Sequence, residues 1–262
     1  FKPGLLVDQA YCDEVLRRFE NACIWLANNL FALTTGGNPP EDEPVLAGIR
    51  ALAEAALAHW NLGGAPLKLI KHRENTIFRV TAADGRSFAL RIHRHGYHTD
   101  AELQSEIDWM RTLTRDGCIE TPTVVPTASG TDFVTVRHDR VEQPRQVSMI
   151  EWIDGTAFDN LGRVERGVEA ELKERYHRLG ALAGRLHNHS AKHRPPAGFV
   201  RPAWDEAGLL GEQPLWGRFW ELAALSESER ALLIRARDRI RQELPALERS
   251  PRNYGLIHGD FA

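Results

Sequence analysis

Four places in the chain pair a reactive group with a pattern that could present it. At the C-terminal end, the apolar pair Leu256 and Ile257 leads into His258, Gly259 and Asp260, two residues before Ala262. A strand-like approach, a glycine that permits a tight turn and a carboxylate together suit a general base or a metal ligand. The same three letters also occur in ordinary loops. Further upstream, "FALRI" alternates: Phe88, Leu90 and Ile92 fall on one side of a strand, Ala89 and Arg91 on the other. A small residue two places before a cation leaves room for a flat ring beside a positive charge. A solvated arginine behind a core-facing triplet fits the pattern equally.

Glu106 shares a helical stripe with Leu103, Ile107, Met110 and Leu113. A carboxylate on an apolar face needs a partner or an exit to water, and Arg91 is a candidate partner. Finally, "MIEWIDG" (149–155) reads as a strand that leaves one structural unit for another. Backbone N–H and C=O groups exposed at such a crossing can pair with a heterocycle, and an ordinary strand and turn would look the same.

These residues need elements to hold them. A helix is predicted over 13–30, from Val15, Phe19, Ala22, Cys23, Leu26 and Leu30 at three-to-four spacing. "TTGGNPPEDEP" (34–44) reads as a linker. A second helix runs through Val45, Ile49, Leu52, Ala56, Leu57 and Trp60, with the glycines of "NLGG" ending it. Strands are predicted at 67–71, 75–82, 86–92, 133–137 and 146–153, with "ADG" as a hairpin turn and a helix over 100–114. Beyond 155 the chain reads as helical, with stripes through Val168, Leu172, Tyr176, Leu179, Leu182 and Leu186 and through Leu232, Leu233, Ala236, Ile240 and Leu244. Segregated strands and helices predict an α+β protein of two lobes, joined near Trp152 to Gly155.

Composition narrows the function classes. The 262 residues are 42% hydrophobic and 26% charged, ordinary for a globular protein with its own core. A net charge of −3 gives no global basic field for nucleic acid. Cys12, Cys23 and Cys118 are scattered, as in a reduced cytoplasmic protein and unlike a disulfide framework. No run of about 18 apolar residues predicts a membrane span. "RIHRHGYH" (91–98) is basic and reads as a solvated loop or a phosphate contact. His189 and His193 share a helix face near His187, without a third residue at zinc spacing.

Taken in order, "ENTIFRV", "FALRIHRHGYH", "SEIDWMRTL", "IEWIDG", "LGALAGRLHNH", "GFVRPAWDEAGLLG", "PLWGRF" and "GLIHGDFA" resemble the aminoglycoside phosphotransferase and choline kinase-like superfamily, from about Ala51 to the end. Within it, "LRIHRHGY" and "RPAWDEAGLLG" are most similar to the bacterial homoserine kinase-like branch. The resemblance implies a bilobal protein-kinase-like fold and ATP-dependent phosphorylation of a small hydroxylated molecule: an amino alcohol, a homoserine-like amino acid, a sugar or an aminoglycoside. Three regions are expected: a helical extension with linker (1–45) outside the resemblance, and, as the resemblance implies, a nucleotide-binding N-lobe (46–153) and a helical C-lobe (154–262).

The resemblance also assigns roles. Arg91 stands where the family has a lysine on the α- and β-phosphates, and Glu106 where a helix glutamate orients it. Glu151 and Ile153 would hold the adenine edge by their backbone, with Ile150 behind the ring, and Asn75 lies in the turn over the phosphates. Asp260 matches the family's catalytic aspartate, which would accept or orient the hydroxyl proton, with His258 fixing its loop. The asparagine expected five residues after Asp260, and a later metal-binding aspartate, would fall past Ala262. The C-lobe is therefore expected to be truncated at the catalytic loop, with ATP and Mg2+ as cofactors but no metal ligand within 1–262. The expected partner is the small substrate, without nucleic acid or membrane, and the N-terminal helix is a candidate dimer contact. A kinase-like module that binds nucleotide or a partner without catalysis is the alternative, and a His258/Asp260 metal hydrolase a more distant one.

Overall fold

The computed structural model describes residues 43–72, 75–155, 169–246, 249–250 and 254–258. The predicted helix over 13–30 lies outside them, as does Asp260. Helix α1, Glu43–Ala56, continues as a 3-10 turn over Leu57–Trp60. Strands β1 (Leu67–His72), β2 (Asn75–Thr81) and β3 (Ser87–His93) follow, then helix α2 (Asp100–Arg115), β4 (Phe133–His138) and β5 (Val141–Glu151). Helices α3 (Glu169–Ser190), α4 (Glu206–Leu210) and α5 (Glu227–Glu243) complete the described chain.

The strands form one five-stranded sheet in the order β1-β2-β3-β5-β4, and every neighbouring pair is antiparallel. The β2–β3 hairpin turns at the predicted "ADG". Gly85 takes φ 86°, and the Asp84 carboxylate accepts from the Arg86 backbone N–H at 3.0 Å. A positive φ of that size is available to glycine at little cost.

Alternation gives the sheet two different faces. One carries Phe78, Val80, Phe88, Leu90, Ile92, Val136, Val147 and Met149, which pack with Ile49, Leu52, Ala53, Ala56, Leu57 and Trp60 of the α1 segment. Phe78, Leu90, Leu52 and Leu57 are fully buried there, each contributing roughly 1.5–3 kcal/mol of burial. The Trp60 indole also donates to the Val125 carbonyl at 2.9 Å. Helix α2 covers part of the opposite face. Its Leu103 and Ile107 pack with Val124, Met110, Phe133 and Ile150. The start of α2 is fixed by a capping box in which Thr99 and Glu102 satisfy each other's backbone N–H groups.

The structure differs from the sequence reading in four places. The α1 segment is terminated by Asn61 in the left-handed region, φ 56°, and not by the glycines after it; asparagine is the non-glycine residue best suited to that conformation. Val45, assigned to the apolar stripe, is exposed. Strand β5 starts at Val141 and ends at Glu151, where 146–153 was expected. The earlier start follows from a bulge between Val136 and His138 that lets Val141 to Arg145 pair with β4. The helical stripes form, but among the described residues Leu186 is the one stripe residue fully buried, while Tyr176, Leu232 and Ile240 are exposed.

Candidate active site

The face of the sheet opposite α1 carries the candidate site. Cross-strand register sets Asn75 opposite His93, Ile77 opposite Arg91 and Arg79 opposite Ala89. On the other side of β3, Ala89 pairs with Ile150 and Arg91 with Ser148. Because side chains of paired residues share a face, Asn75, Ile77, Arg79, Ala89, Arg91, His93, Ser148 and Ile150 form one continuous surface. Ala89 is its small floor, flanked by branched Ile77 and Ile150.

Arg91 and Glu106, which the sequence reading paired, meet: Arg91 Nη1 donates to Glu106 Oε1 at 3.2 Å. Their side chains are 20% and 22% exposed, so the pair is shielded without being sealed. Burial is the largest single influence on Glu106 and would raise its pKa. The charges of Arg91 and Arg201 and the hydrogen bond from Arg91 together outweigh it, so the carboxyl sits below its ordinary range. Arg201, which sequence reasoning assigned no role, reaches Glu106 Oε2 at 3.4 Å from the loop before α4. One carboxylate thus lies between two guanidiniums, leaving a net positive charge on this surface.

His93 is the second residue missed. Read as part of a basic loop, it ends β3 and is buried at 2% exposure. Its Nε2 pairs with Ser148 Oγ at 2.9 Å. Burial first, and then the charge of Arg91, lower its pKa to about 3 against the pull of Glu106. It is a neutral imidazole beside the cations. The signal was in the sequence: parity carried one step past Arg91 and Ile92 places His93 on the Arg91 face. Asn75, directly across β2–β3 from His93, has a buried amide oxygen without a hydrogen-bond partner among the described residues.

At the end of β5, the Glu151 N–H donates to the Thr123 carbonyl at 2.8 Å, and the Trp152 N–H donates to the Ser87 carbonyl on β3 at 3.2 Å. In a trans peptide the carbonyl of Glu151 points opposite to the Trp152 N–H, and so away from β3. Ile153 just beyond is 64% exposed. The crossing is held by Arg79, whose guanidinium donates to Ser87 Oγ and stacks 4.7 Å from the centre of the Trp152 ring. The Trp152 indole in turn donates to Asp154 at 3.0 Å.

His258 is exposed, while its neighbour Asp260 lies outside the described residues. Among the described residues no group of three or more His, Cys, Asp or Glu side chains is placed to hold a metal, so no described residue is assigned to a divalent ion. His189 Nε2 donates to Asp116 Oδ2 at 2.9 Å, and the His189 ring stacks on His193. No described helix is long and apolar enough to cross a membrane.

The model of the phosphotransferase enzyme family matches residues 67–262. The chain belongs to the phosphotransferase enzyme family. The match takes in the sheet, α2 and the His258 to Asp260 segment, the stretches on which the aminoglycoside phosphotransferase and choline kinase-like resemblance rests. Among solved structures, a microcompartment-associated aminopropanol kinase is 34% identical, with a TM-score of 0.67, over 80% of this chain and 61% of its own. An amicoumacin kinase in complex with AMP-PNP, Ca2+ and Ami is similar in fold: TM-score 0.59, 22% identity, 84% of this chain and 58% of the other. This family member therefore spans about 60% of the length of those two structures (61% and 58%). No curated protein sequence gave a match. The α+β arrangement of an antiparallel sheet followed by helices is the fold these kinases share with the chain.

Proposed function

We propose that this phosphotransferase-family chain is the nucleotide-binding and acceptor-facing portion of an ATP-dependent kinase acting on a hydroxyl of a small molecule. The observation that carries the reading is the Arg91–Glu106 ion pair at 3.2 Å, set two residues from the small floor of Ala89. A flat purine fits over Ala89 between Ile77 and Ile150. The outward carbonyl of Glu151 suits the exocyclic amine of adenine, and the Ile153 N–H the neighbouring ring nitrogen. Arg91 would then neutralise the α- and β-phosphates, and Glu106 would hold its guanidinium in place. A guanidinium serves phosphate bidentately where lysine offers a point charge. Asn75 would cap the phosphates from the start of β2.

Asp260, placed by its motif, would accept or orient the proton of the acceptor hydroxyl as its oxygen attacks the γ-phosphorus in line, while ADP leaves. A divalent ion would neutralise charge on the β- and γ-phosphates. By likeness to the aminopropanol kinase, amino alcohols are the first acceptors to try. By charge alone, Asp159, Glu165, Glu169 and Glu171 are candidates to contact a cationic acceptor, although a solvated helix surface explains them as well; Glu171 is paired with Arg175 on the outside of α3. Asp159 and Glu165 lie outside the described residues.

The test is ADP release by the full-length protein with Mg2+ across a panel of amino alcohols, homoserine-like amino acids, sugars and aminoglycosides. Turnover with one class is expected, and Asp260→Ala should reduce it by about 10²–10⁴-fold. Absence of turnover with every acceptor, or an Asp260→Ala variant as active as the parent, would count decisively against the reading.

A further inference from the structure

Arg201 stands out because nothing in the nucleotide reading calls for it. It lies in the segment between α3 and α4, far along the chain from α2, yet adjacent residues of that segment make three contacts with α2. The Val200 N–H donates to Ser105 Oγ at 2.9 Å. Arg201 Nη1 donates to the Glu102 carbonyl at 2.9 Å. The same nitrogen lies 3.4 Å from Glu106 Oε2. Ser105, 3% exposed, is itself fixed by donating to the Ala101 carbonyl at 2.7 Å. So both oxygens of Glu106 are engaged, Oε1 by Arg91 from the sheet and Oε2 by Arg201 from the loop.

From this arrangement we infer that Arg201 is a positioning residue: it fixes the Glu106 carboxylate, and through it the phosphate-facing guanidinium of Arg91. A glutamate side chain has three rotatable bonds. Held by Arg91 alone, it could follow Arg91 toward the ligand or swing toward solvent with it. Held at both oxygens, it offers Arg91 one fixed anchor, so less ordering remains when a polyphosphate arrives. The same contacts tie the 191–205 segment to α2, so displacement of that segment reaches the nucleotide site through one carboxylate. Arg201 contacts Glu102 and Glu106 of α2, so its influence is expected at the phosphate end of the surface.

The inference rests on the nucleotide-binding reading above, and the experiment separates the two. Dissociation constants for AMP-PNP with Mg2+ and for adenosine are measured on the full-length wild type, Arg201→Gln, Arg201→Lys, Glu106→Gln and the Arg201→Gln/Glu106→Gln double variant. Arg201→Gln should weaken AMP-PNP by about fivefold or more and leave adenosine within about twofold. Lysine at 201 should recover part of the loss, and in the Glu106→Gln background the Arg201→Gln effect should disappear. Adenosine binding also reports folding of each variant, and Arg201→Lys remains informative if glutamine at 201 does not fold. Equal AMP-PNP affinity in wild type and Arg201→Gln overturns the inference alone. So does an equal loss for adenosine, or a full loss that persists without the Glu106 carboxylate. A wild type that binds neither ligand overturns the nucleotide reading and this inference together.

Discussion

Glu106 and His93 lie on the same surface with opposite needs. The carboxylate is tolerated in a half-buried place because two guanidiniums face it, and its lowered pKa means that its contribution is lost only as pH falls below the ordinary carboxylate range. His93 is tolerated because it is neutral. With a folded pKa of about 3 against 6.5, the unfolded chain takes up the proton first, so stability is complete above about pH 6.5 and declines toward pH 3. One such group costs about 2 kcal/mol between pH 7 and pH 5. Urea titrations at those two pH values should show that loss in wild type, and His93→Gln should flatten the profile by that amount. An unchanged pH slope in the variant would mean that the imidazole is protonated or solvated in the folded protein. The Arg91–Glu106 partnership was legible because each half sits in a regular element, where parity and three-to-four spacing report direction. Arg201 was not, because its loop has no periodicity to reveal which way a side chain points.

At the level of elements, the helix α1 is pressed against the sheet more closely than its sequence announces. A Cβ on Gly48 would lie 2.6 Å from the carbonyl oxygen of Arg140, in the turn between β4 and β5. On an isolated helix Gly→Ala gains about 1 kcal/mol. Here the backbone must move, and Gly48→Ala is expected to cost about 1–2 kcal/mol net. Thermal or urea unfolding checks it, and a more stable variant would show that α1 can shift at no cost. The strands themselves were readable from alternation, because one side of each must be apolar to meet α1 and a register slip would expose it. Their ends were less so. Asn61 displaced the glycines as the helix stop, and the β4–β5 pairing extended through a bulge, since both depend on local backbone choices that hydrophobic pattern does not encode. The stripes of α3 and α5 predicted helices correctly but not burial, because periodicity tells which face is apolar and not what lies against it.

For the whole molecule, the sheet, α2 and the segment around Arg201 are tied together through Glu106, Ser105 and Glu102, the support that the proposed function assigns to a nucleotide. Ligand that binds only the folded state stabilises it by about 2.7 kcal/mol at a hundred times its Kd. For a chain of this size that is about 5–10 °C in Tm. AMP-PNP with Mg2+ should produce a shift in that range, and a Tm indifferent to nucleotide would contradict the site. The two faces of the sheet also divide the labour of the fold. Hydrophobic contact with α1 keeps the strands in register from behind, so the front carries only the smaller cluster of Phe133 and Ile150 beneath Leu103 and Ile107 of α2. Ile77, which belongs to neither cluster, can therefore be exchanged for other branched residues at little risk to folding. If the proposed nucleotide site is filled as described, that freedom at Ile77 would let few substitutions retune the preference for one purine over another, in the laboratory or over evolutionary time.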